Sequence, residues 1–253
     1  MLITKTQVKY IQSLGHKKFR DAEGVFVVEG PKITEELLAV PRMRPRAIYA
    51  LPEWIQGLPA GLGKEVLTTV GAVELGRLSA LTTPNQVIAV FEKPVFGDVE
   101  SGTGIHLVLD GIQDPGNLGT IVRLADWFGV ASVLCTPDCA DVYNAKAVQS
   151  TMGSIGRVPV IYGDPAASIR GRAGVSVYAT VLEGESVYGM GEIERGFIVV
   201  GNESRGIGPE LLGLATRRVR IPRVGGAESL NAAVATGIVL SHLSHMAAPK
   251  GTG

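Results

Sequence analysis

The sequence predicts an α/β protein in two parts: a small N-terminal α/β domain, then a larger C-terminal α/β domain on a mostly parallel sheet. Three observations predict it. From Ile105 onward, short continuous apolar runs alternate with helical patterns, the mark of a parallel sheet covered on both faces. The stretch Lys93–Gly104 (KPVFGDVESGTG) is rich in glycine, proline and acid and has no apolar period, so it reads as a linker. The 253 residues are 45% hydrophobic and 19% charged, enough for a full core and too apolar for disorder. The domains are therefore placed at 1–93 and 105–247, with a linker at 94–104 and a tail at 248–253.

The first part reads as a helix over Val8–Leu14, a strand at Phe26–Val28, and a helix opened by Gly30-Pro31 that runs through Ile33, Leu37 and Leu38. Proline is tolerated there, in the first turn. Strands follow at Arg46–Ala50 and Gln86–Phe91, with a helix around Gly71–Leu78 between them. The second part opens with a strand at Ile105–Leu109 and a helix from about Asn117 to Phe128. A strand at Ser132–Cys135 and a helix over Ala145–Met152 come next. Further strands are expected at Val158–Ile161, Ser176–Leu182, Phe197–Val200 and Val219–Ile221, then a long helix from Ser229 to Met246.

Composition narrows the function. The 24 basic and 24 acidic residues cancel, which argues against indiscriminate polyanion binding but leaves room for a local basic face. Two cysteines, Cys135 and Cys139, are too few for a disulfide framework. Their C-x-x-x-C spacing lacks a second ligand pair, so no metal site is expected. The four histidines do not form one either: His242 and His245 share a helix face with no carboxylate nearby. The start (Thr4, Lys5, Thr6, Gln7) is polar, unlike a signal peptide, and no apolar run approaches the ~20 residues of a membrane span. A cytoplasmic protein with no membrane partner is expected.

In open parallel sheets, ligands sit beyond the carboxyl ends of the strands. Three loops stand there. In LDGIQDPGNLGTIVR, Asn117 suits a helix N-cap. Ile121, Leu124, Ala125 and Phe128 fall on a core stripe, which turns Arg123 and Trp127 to the opposite side. Taken alone, Arg123 reads equally as a solvated helix arginine and Asn117 as a cap. In VVGNESRGIGP, Asn202 and Glu203 follow a strand tip among glycines. The stretch lacks the G-K-[ST] ending of a phosphate loop, and no G-x-G-x-x-G follows the first strand of either part. In VRIPRVGGAESLNAAVATGIVLSHL, a glycine loop precedes a helix of small apolar residues that should be buried in the core or at a subunit interface. Ser229 could be its cap and Asn231 a first-turn residue.

Together these loops resemble the SpoU (TrmH-like) branch of the SPOUT methyltransferases. The matching stretches are NLGTIVR (Asn117–Arg123), GNESRGIG (Gly201–Gly208) and IPRVGGAESLN (Ile221-Pro222 to Ser229-Leu230-Asn231), in the family's order. YNAKAVQSTMGSIGRVPV (Tyr143–Val160) is similar to the intermediate stretch, except that Gln149 stands where the family more often has a basic residue. The resemblance implies a deep trefoil knot in the C-terminal domain, an exception to unknotted chains. It implies S-adenosylmethionine as cofactor, held by Gly201, Ile221 and Leu230 with Thr180 and Leu182 lining the pocket, and a homodimer through the final helix of the catalytic domain.

The implied reaction is methyl transfer to a ribose 2′-hydroxyl of RNA, with Arg123 essential and Asn117, Glu203, Ser229 and Asn231 as further catalytic-site residues. A guanidinium titrates above about 12, so freeing its proton at neutral pH costs about 7 kcal/mol, five units at about 1.36 each. A phosphate-bound arginine that orients the ribose is the alternative to a base, and both stay open. The stretch LGHKKFRDAEGVFVVEGPKI resembles the N-terminal RNA-binding domain of several ribosomal-RNA members. On it, Lys17, Lys18, Arg20 and Lys32, with Lys9, Arg42, Arg44 and Arg46, make a locally basic end suited to phosphates. Phe19 could stack on a base or sit in the core. That domain favours large-subunit ribosomal RNA over transfer RNA. The competing readings are a non-catalytic RNA-binding assembly factor and, less suited to these loops, a small-molecule α/β enzyme.

Overall fold

The computed structural model describes residues 3–58, 62–63, 65–96 and 103–244. The expected tail (248–253), residues 97–102 of the expected linker, and the end of the expected last helix (His245, Met246) lie outside the described residues. In chain order the elements are α1 (Lys5–Ser13), α2 (Lys17–Glu23), β1 (Val25–Glu29), α3 (Pro31–Leu38), β2 (Pro45–Ala50), α4 (Pro52–Gln56), β3 (Leu67–Thr69), α5 (Ala72–Leu78) and β4 (Val87–Glu92). Then come β5 (Ile105–Asp110), α6 (Pro115–Trp127), β6 (Ser132–Cys135), α7 (Ala145–Thr151), β7 (Val160–Tyr162), α8 (Pro165–Arg170) and β8 (Val177–Ser186). The last are β9 (Gly196–Gly201), α9 (Pro209–Gly213), β10 (Arg217–Arg220) and α10 (Ala232–Leu243). Among the described residues no helix is long and apolar enough to cross a membrane.

The chain falls into two compact units. The first takes residues up to Val95 together with Tyr143–Arg157; the second takes Phe96–Val142 and the residues from Val158 on. The sequence reading kept 105–247 in one piece, whereas α7 and the turn after it pack with the first unit. The cause is local chemistry. Tyr143 lays its ring 5.1 Å from that of Phe26, and Arg157 pairs with Glu36 at 3.3 Å. Gln149, the departure from the family pattern, donates its side-chain amide to the Glu29 carbonyl of β1 at 2.5 Å.

In the first unit, α1 opens with a reciprocal capping box. The Thr4 hydroxyl accepts from the Gln7 N–H (3.2 Å), and the Gln7 side chain accepts from the Thr4 N–H (2.8 Å). The sheet has the order β1-β4-β2-β3, with β4 antiparallel to both neighbours and β3 parallel to β2. Val25, Tyr49, Ile88 and Val90 bury one face of it with Ile11 and Leu14 from α1 and Leu75 and Leu78 from α5.

Arg20 is a correction to the expected RNA-facing set. Its side chain is 3% exposed, and its guanidinium donates to the carbonyls of Leu14 and Gly15, both at 2.8 Å, at the end of α1. It joins α2 to α1 and is turned away from solvent. Lys9, Lys17, Lys18, Lys32, Arg42, Arg44 and Arg46 are exposed; Lys17 pairs with Asp21 at 2.6 Å and Arg46 with Glu23 at 3.1 Å. Phe19 is 40% exposed and has the Lys18 ammonium over its ring at 4.7 Å, so it is not a core residue. Arg20→Ala is expected to cost about 2–3 kcal/mol of stability, because it strips buried carbonyls of charged donors. Lys18→Ala is expected to stay within about 0.5 kcal/mol. Urea unfolding of the two variants checks the difference.

The second unit is a six-stranded, wholly parallel sheet in the order β10-β8-β9-β5-β6-β7. Helices α8 and α9 bury Ala166, Ile169 and Leu211 against Val108, Leu134, Phe197 and Val199 on one face. Alternation along the strands sends Leu107, Leu109 and Ile198, all fully buried, to the opposite face, which α6 and α10 cover. On α6 the buried stripe is Leu118, Ile121, Val122 and Ala125. Leu124 and Phe128, expected in it, are half-buried and line a groove with α10. Arg123 and Trp127 face outward as expected.

The chain leaves β5 toward β6 on one side and leaves β9 toward β10 on the other. Because β5 and β9 are direct neighbours, a crevice opens between the two departing loops. That is the topological switch point where such sheets bind ligands.

Candidate active site

The stretch DPGNLGTIVR starts α6 at Pro115, two residues earlier than expected. Asp114 is the N-cap: its carboxylate accepts from the Asn117 N–H at 2.8 Å, and Pro115 occupies the first turn. Asn117 is therefore not the cap. Its own side chain is free of that duty and points to the neighbouring loops.

The loop after β9 is a closed turn. Asn202 and Gly206 exchange backbone hydrogen bonds at 3.0 and 2.9 Å. The Asn202 side-chain oxygen accepts from the N–H groups of Ser204 (2.9 Å) and Arg205 (3.0 Å), and its amide donates to the Gly111 carbonyl at the tip of β5 (2.7 Å). The Asp110 carboxylate accepts from the Gly208 N–H at 2.6 Å. The loops of β5 and β9 are thus tied together twice, and Glu203 stands at the exposed crest of the turn.

The third piece is the start of α10. The sequence reading opened this helix at Ser229; it opens at Ala232, with Asn231 as N-cap accepting from Ala233 (3.0 Å) and Val234 (3.3 Å). The cap occupies the Asn231 oxygen, so only its NH₂ can face outward. That NH₂ donates to the Asn117 side-chain oxygen at 2.8 Å, and the Asn117 NH₂ then donates to Glu203 at 2.7 Å. The relay Asn231→Asn117→Glu203 joins three segments, with its two bonds spanning 114 and 86 residues, and the donor direction follows from the cap at Asn231.

The other expected site residues divide. Arg123 is exposed on α6 beyond Asn117 and, among the described residues, makes no hydrogen bond or ion pair. Ser229 is exposed in the loop before α10, and Leu230 is exposed beside it. Thr180 turns its hydroxyl onto the Val199 carbonyl (2.9 Å), whereas Leu182, two residues further along β8, is 74% exposed; the strand runs on to Ser186, past its expected end at Leu182. Ile221 is half-buried just past β10. Gly201 ends β9 beside Asp110. A Cβ on it would lie 2.3 Å from the Gly206 carbonyl carbon and 2.5 Å from the Ile207 nitrogen. Its own turn therefore demands glycine at that position.

Sequence reading missed Asp114, Asp110, Thr136, Asp138 and Arg205. The Asp-Pro pair signals a cap at Asp114; the others act across strands and leave no local signal. Near them, the buried Cys139 thiol donates to the Leu109 carbonyl at 3.3 Å. Its neighbour Cys135 holds it down to about 7 against the raising effect of burial, while Cys139 and burial push Cys135 well up.

Residues 104–241 match the model of the SpoU rRNA Methylase family, and residues 5–89 match the MRM3-like substrate binding domain. The chain is 32% identical to the 23S rRNA (guanosine(2553)-2'-O)-methyltransferase RlmP of Bacillus subtilis, over 94% of this chain and 95% of that one. It is similar to a putative RNA methyltransferase of the TrmH family from Porphyromonas gingivalis: TM-score 0.86, 35% identity, 96% of this chain and 98% of that one. An AdoMet-bound rRNA methyltransferase from Sinorhizobium meliloti aligns with TM-score 0.82 at 29% identity, covering 95% of this chain and 94% of that one.

Proposed function

The chain belongs to the SpoU rRNA methylase family, and on that premise we propose that it transfers a methyl group from S-adenosylmethionine to a ribose 2′-hydroxyl of large-subunit ribosomal RNA. The observation that carries the reading is the amide relay Asn231→Asn117→Glu203 at the switch point of the parallel sheet. A non-catalytic RNA-binding scaffold has no need to hold three distant loops in one hydrogen-bonded register.

The residues present suit the cofactor. Gly201 and Ile221 lie at the carboxyl ends of β9 and β10, Thr180 lies within β8 just past its last pairing with β9, and Leu182 and Leu230 offer exposed apolar side chains. Backbone groups at Gly201, Ile221 and Leu230 hold the cofactor in this reading, with Thr180 and Leu182 lining its pocket. When bound, S-adenosylmethionine supplies an electrophilic methyl on a sulfonium. This chain's residues must present the ribose oxygen in line with it and deal with that oxygen's proton. Glu203 fixes Asn117, Asn117 and Asn231 shape the floor of the site, and Ser229 contacts the RNA or the loop. Arg123 projects from α6 toward the RNA as the essential cation. The tail is threaded in this reading, so that the loops after β9 and β10 form the trefoil knot.

Two further features follow. Lys17, Lys18 and Lys32 bind RNA phosphates on the first unit, without Arg20. The groove of about 570 Å³ between α6 and α10, lined by Leu124, Phe128, Val234 and Ile238, is the surface that a second copy covers in a homodimer. We place the reaction in the cytoplasm, where free thiols such as Cys135 and Cys139 persist. Mapping of 2′-O-methylation on ribosomal RNA from cells with and without the gene tests the function. One ribose methylation on large-subunit RNA should vanish in its absence and return with the purified protein and S-adenosylmethionine. An unchanged map, or a lost mark on transfer RNA instead, rejects the assignment.

A further inference from the structure

Glu203 works in the relay only while its carboxylate accepts from Asn117, and a competitor for it stands on the same turn. Arg205 lies two residues on, with its guanidinium largely in solvent. A guanidinium binds a carboxylate more strongly than a neutral amide does. Nothing in the turn's own backbone keeps the two apart, because the turn is held by Asn202 through its main-chain bridge to Gly206 and its side-chain bonds.

What keeps them apart is a third strand. Asp138, in the loop after β6, takes the Arg205 guanidinium at 2.9 Å. The other oxygen of Asp138 accepts from the Thr136 hydroxyl at 2.6 Å, and that same hydroxyl oxygen accepts from the Gly111 N–H at 2.9 Å. The pair lies across the tip of β5, directly over Gly111. This residue has φ +69°, and a Cβ there would come 2.8 Å from the Arg205 nitrogen and 3.0 Å from the Asp138 oxygen. The Thr136 bond and Arg205 together hold the Asp138 carboxyl below its usual range, consistent with an ionised partner.

We propose that Asp138 is a positioning residue that sequesters the Arg205 guanidinium over Gly111, so that Glu203 remains available to Asn117. The claim rests on the methyltransferase reading for its kinetic form only. As a surface ion pair, Asp138–Arg205 adds little to stability; its role is to decide which partner Glu203 has. The signature is therefore suppression. Asp138→Ala frees Arg205 to capture Glu203 and should lower kcat roughly tenfold, the size of one hydrogen bond to a charged group. S-adenosylmethionine affinity and the melting temperature should not change. Arg205→Ala removes strap and competitor together and should stay within about twofold of wild type, since Asn202 still holds the turn. The double variant should return to the Arg205→Ala rate, and Asp138→Glu should recover part of the loss.

Steady-state methyl transfer to a ribosomal RNA fragment, with kcat and KM for the RNA resolved for all five proteins, reads this out. A double variant as slow as Asp138→Ala overturns the proposal. So does an Arg205→Ala variant whose RNA KM rises severalfold while that of Asp138→Ala does not, since Arg205 is then an RNA contact. If the wild type methylates no RNA, the functional reading fails by itself, and a crystal structure of Asp138→Ala still decides this point. Glu203 paired with Arg205 supports the sequestration; Glu203 still on Asn117 rejects it.

Discussion

Arg123→Ala is expected to lower the single-turnover rate of methyl transfer by about 10²–10³-fold, the loss typical of removing one preorganised charged or polar group from a reacting centre. Calorimetric affinity for S-adenosylmethionine should not move. The separation of effects follows from where the side chain is. It leaves α6 less than two turns beyond Asn117, outside the core stripe and outside the strand tips assigned to the cofactor. It has no protein partner among the described residues, so its removal leaves no buried group unsatisfied and should not destabilise the fold. Arg123→Lys keeps the charge but loses the planar fork, and an intermediate rate is expected from a phosphate clamp. The two roles then part on pH. A base gives a rate that climbs with pH toward the arginine range, whereas an orienting cation gives a rate flat through neutrality. A variant Arg123→Ala that turns over within a few fold of wild type would remove the residue from the reaction in either role.

Gly201→Ala is expected to be nearly as damaging by a different route. The added methyl would stand 2.3 to 2.6 Å from the main chain of Gly206 and Ile207, and main chain cannot rotate aside as a side chain does. The turn must open, the Asn202–Gly206 bridge must break, and Glu203 leaves the reach of Asn117. A loss of about 1–3 kcal/mol of stability is expected from overpacking, with methyl transfer down about 100-fold because the relay loses its acceptor. Gly225→Ala is the control. Its Cβ meets nothing within 4 Å, and its stability should stay within about 0.5 kcal/mol of wild type. Urea midpoints and transfer rates of the two variants check the contrast; equal behaviour would mean that the turn relaxes cheaply.

Much of the layout was legible in order along the chain. Ser132–Cys135 is a strand in both the pattern and the fold, and the alternation from Ile105 onward becomes a wholly parallel sheet. The composition of Lys93–Gly104 points to a linker there, but nothing in it signals that Tyr143–Arg157 packs with the first unit, where a tyrosine ring and a glutamine amide bind β1 from far along the sequence. The helices α2, α4, α8 and α9 are absent from the sequence reading. At 5 to 7 residues each, they are too short to show an apolar period. Arg20 was misassigned because a buried arginine capping two carbonyls and a solvated one have the same letter.

The sequence by itself determined which residue types meet at the strand tips: apolar runs and glycine turns are local consequences of backbone freedom and solvent exclusion. Tertiary structure alone decided who holds whom. Whether Asn117 caps a helix or bridges to Glu203, whether Gly201 yields to a ligand or to its own turn, and where Arg205 points depend on contacts between segments far apart in sequence. Such contacts are made by through-space geometry, for which a linear pattern has no period.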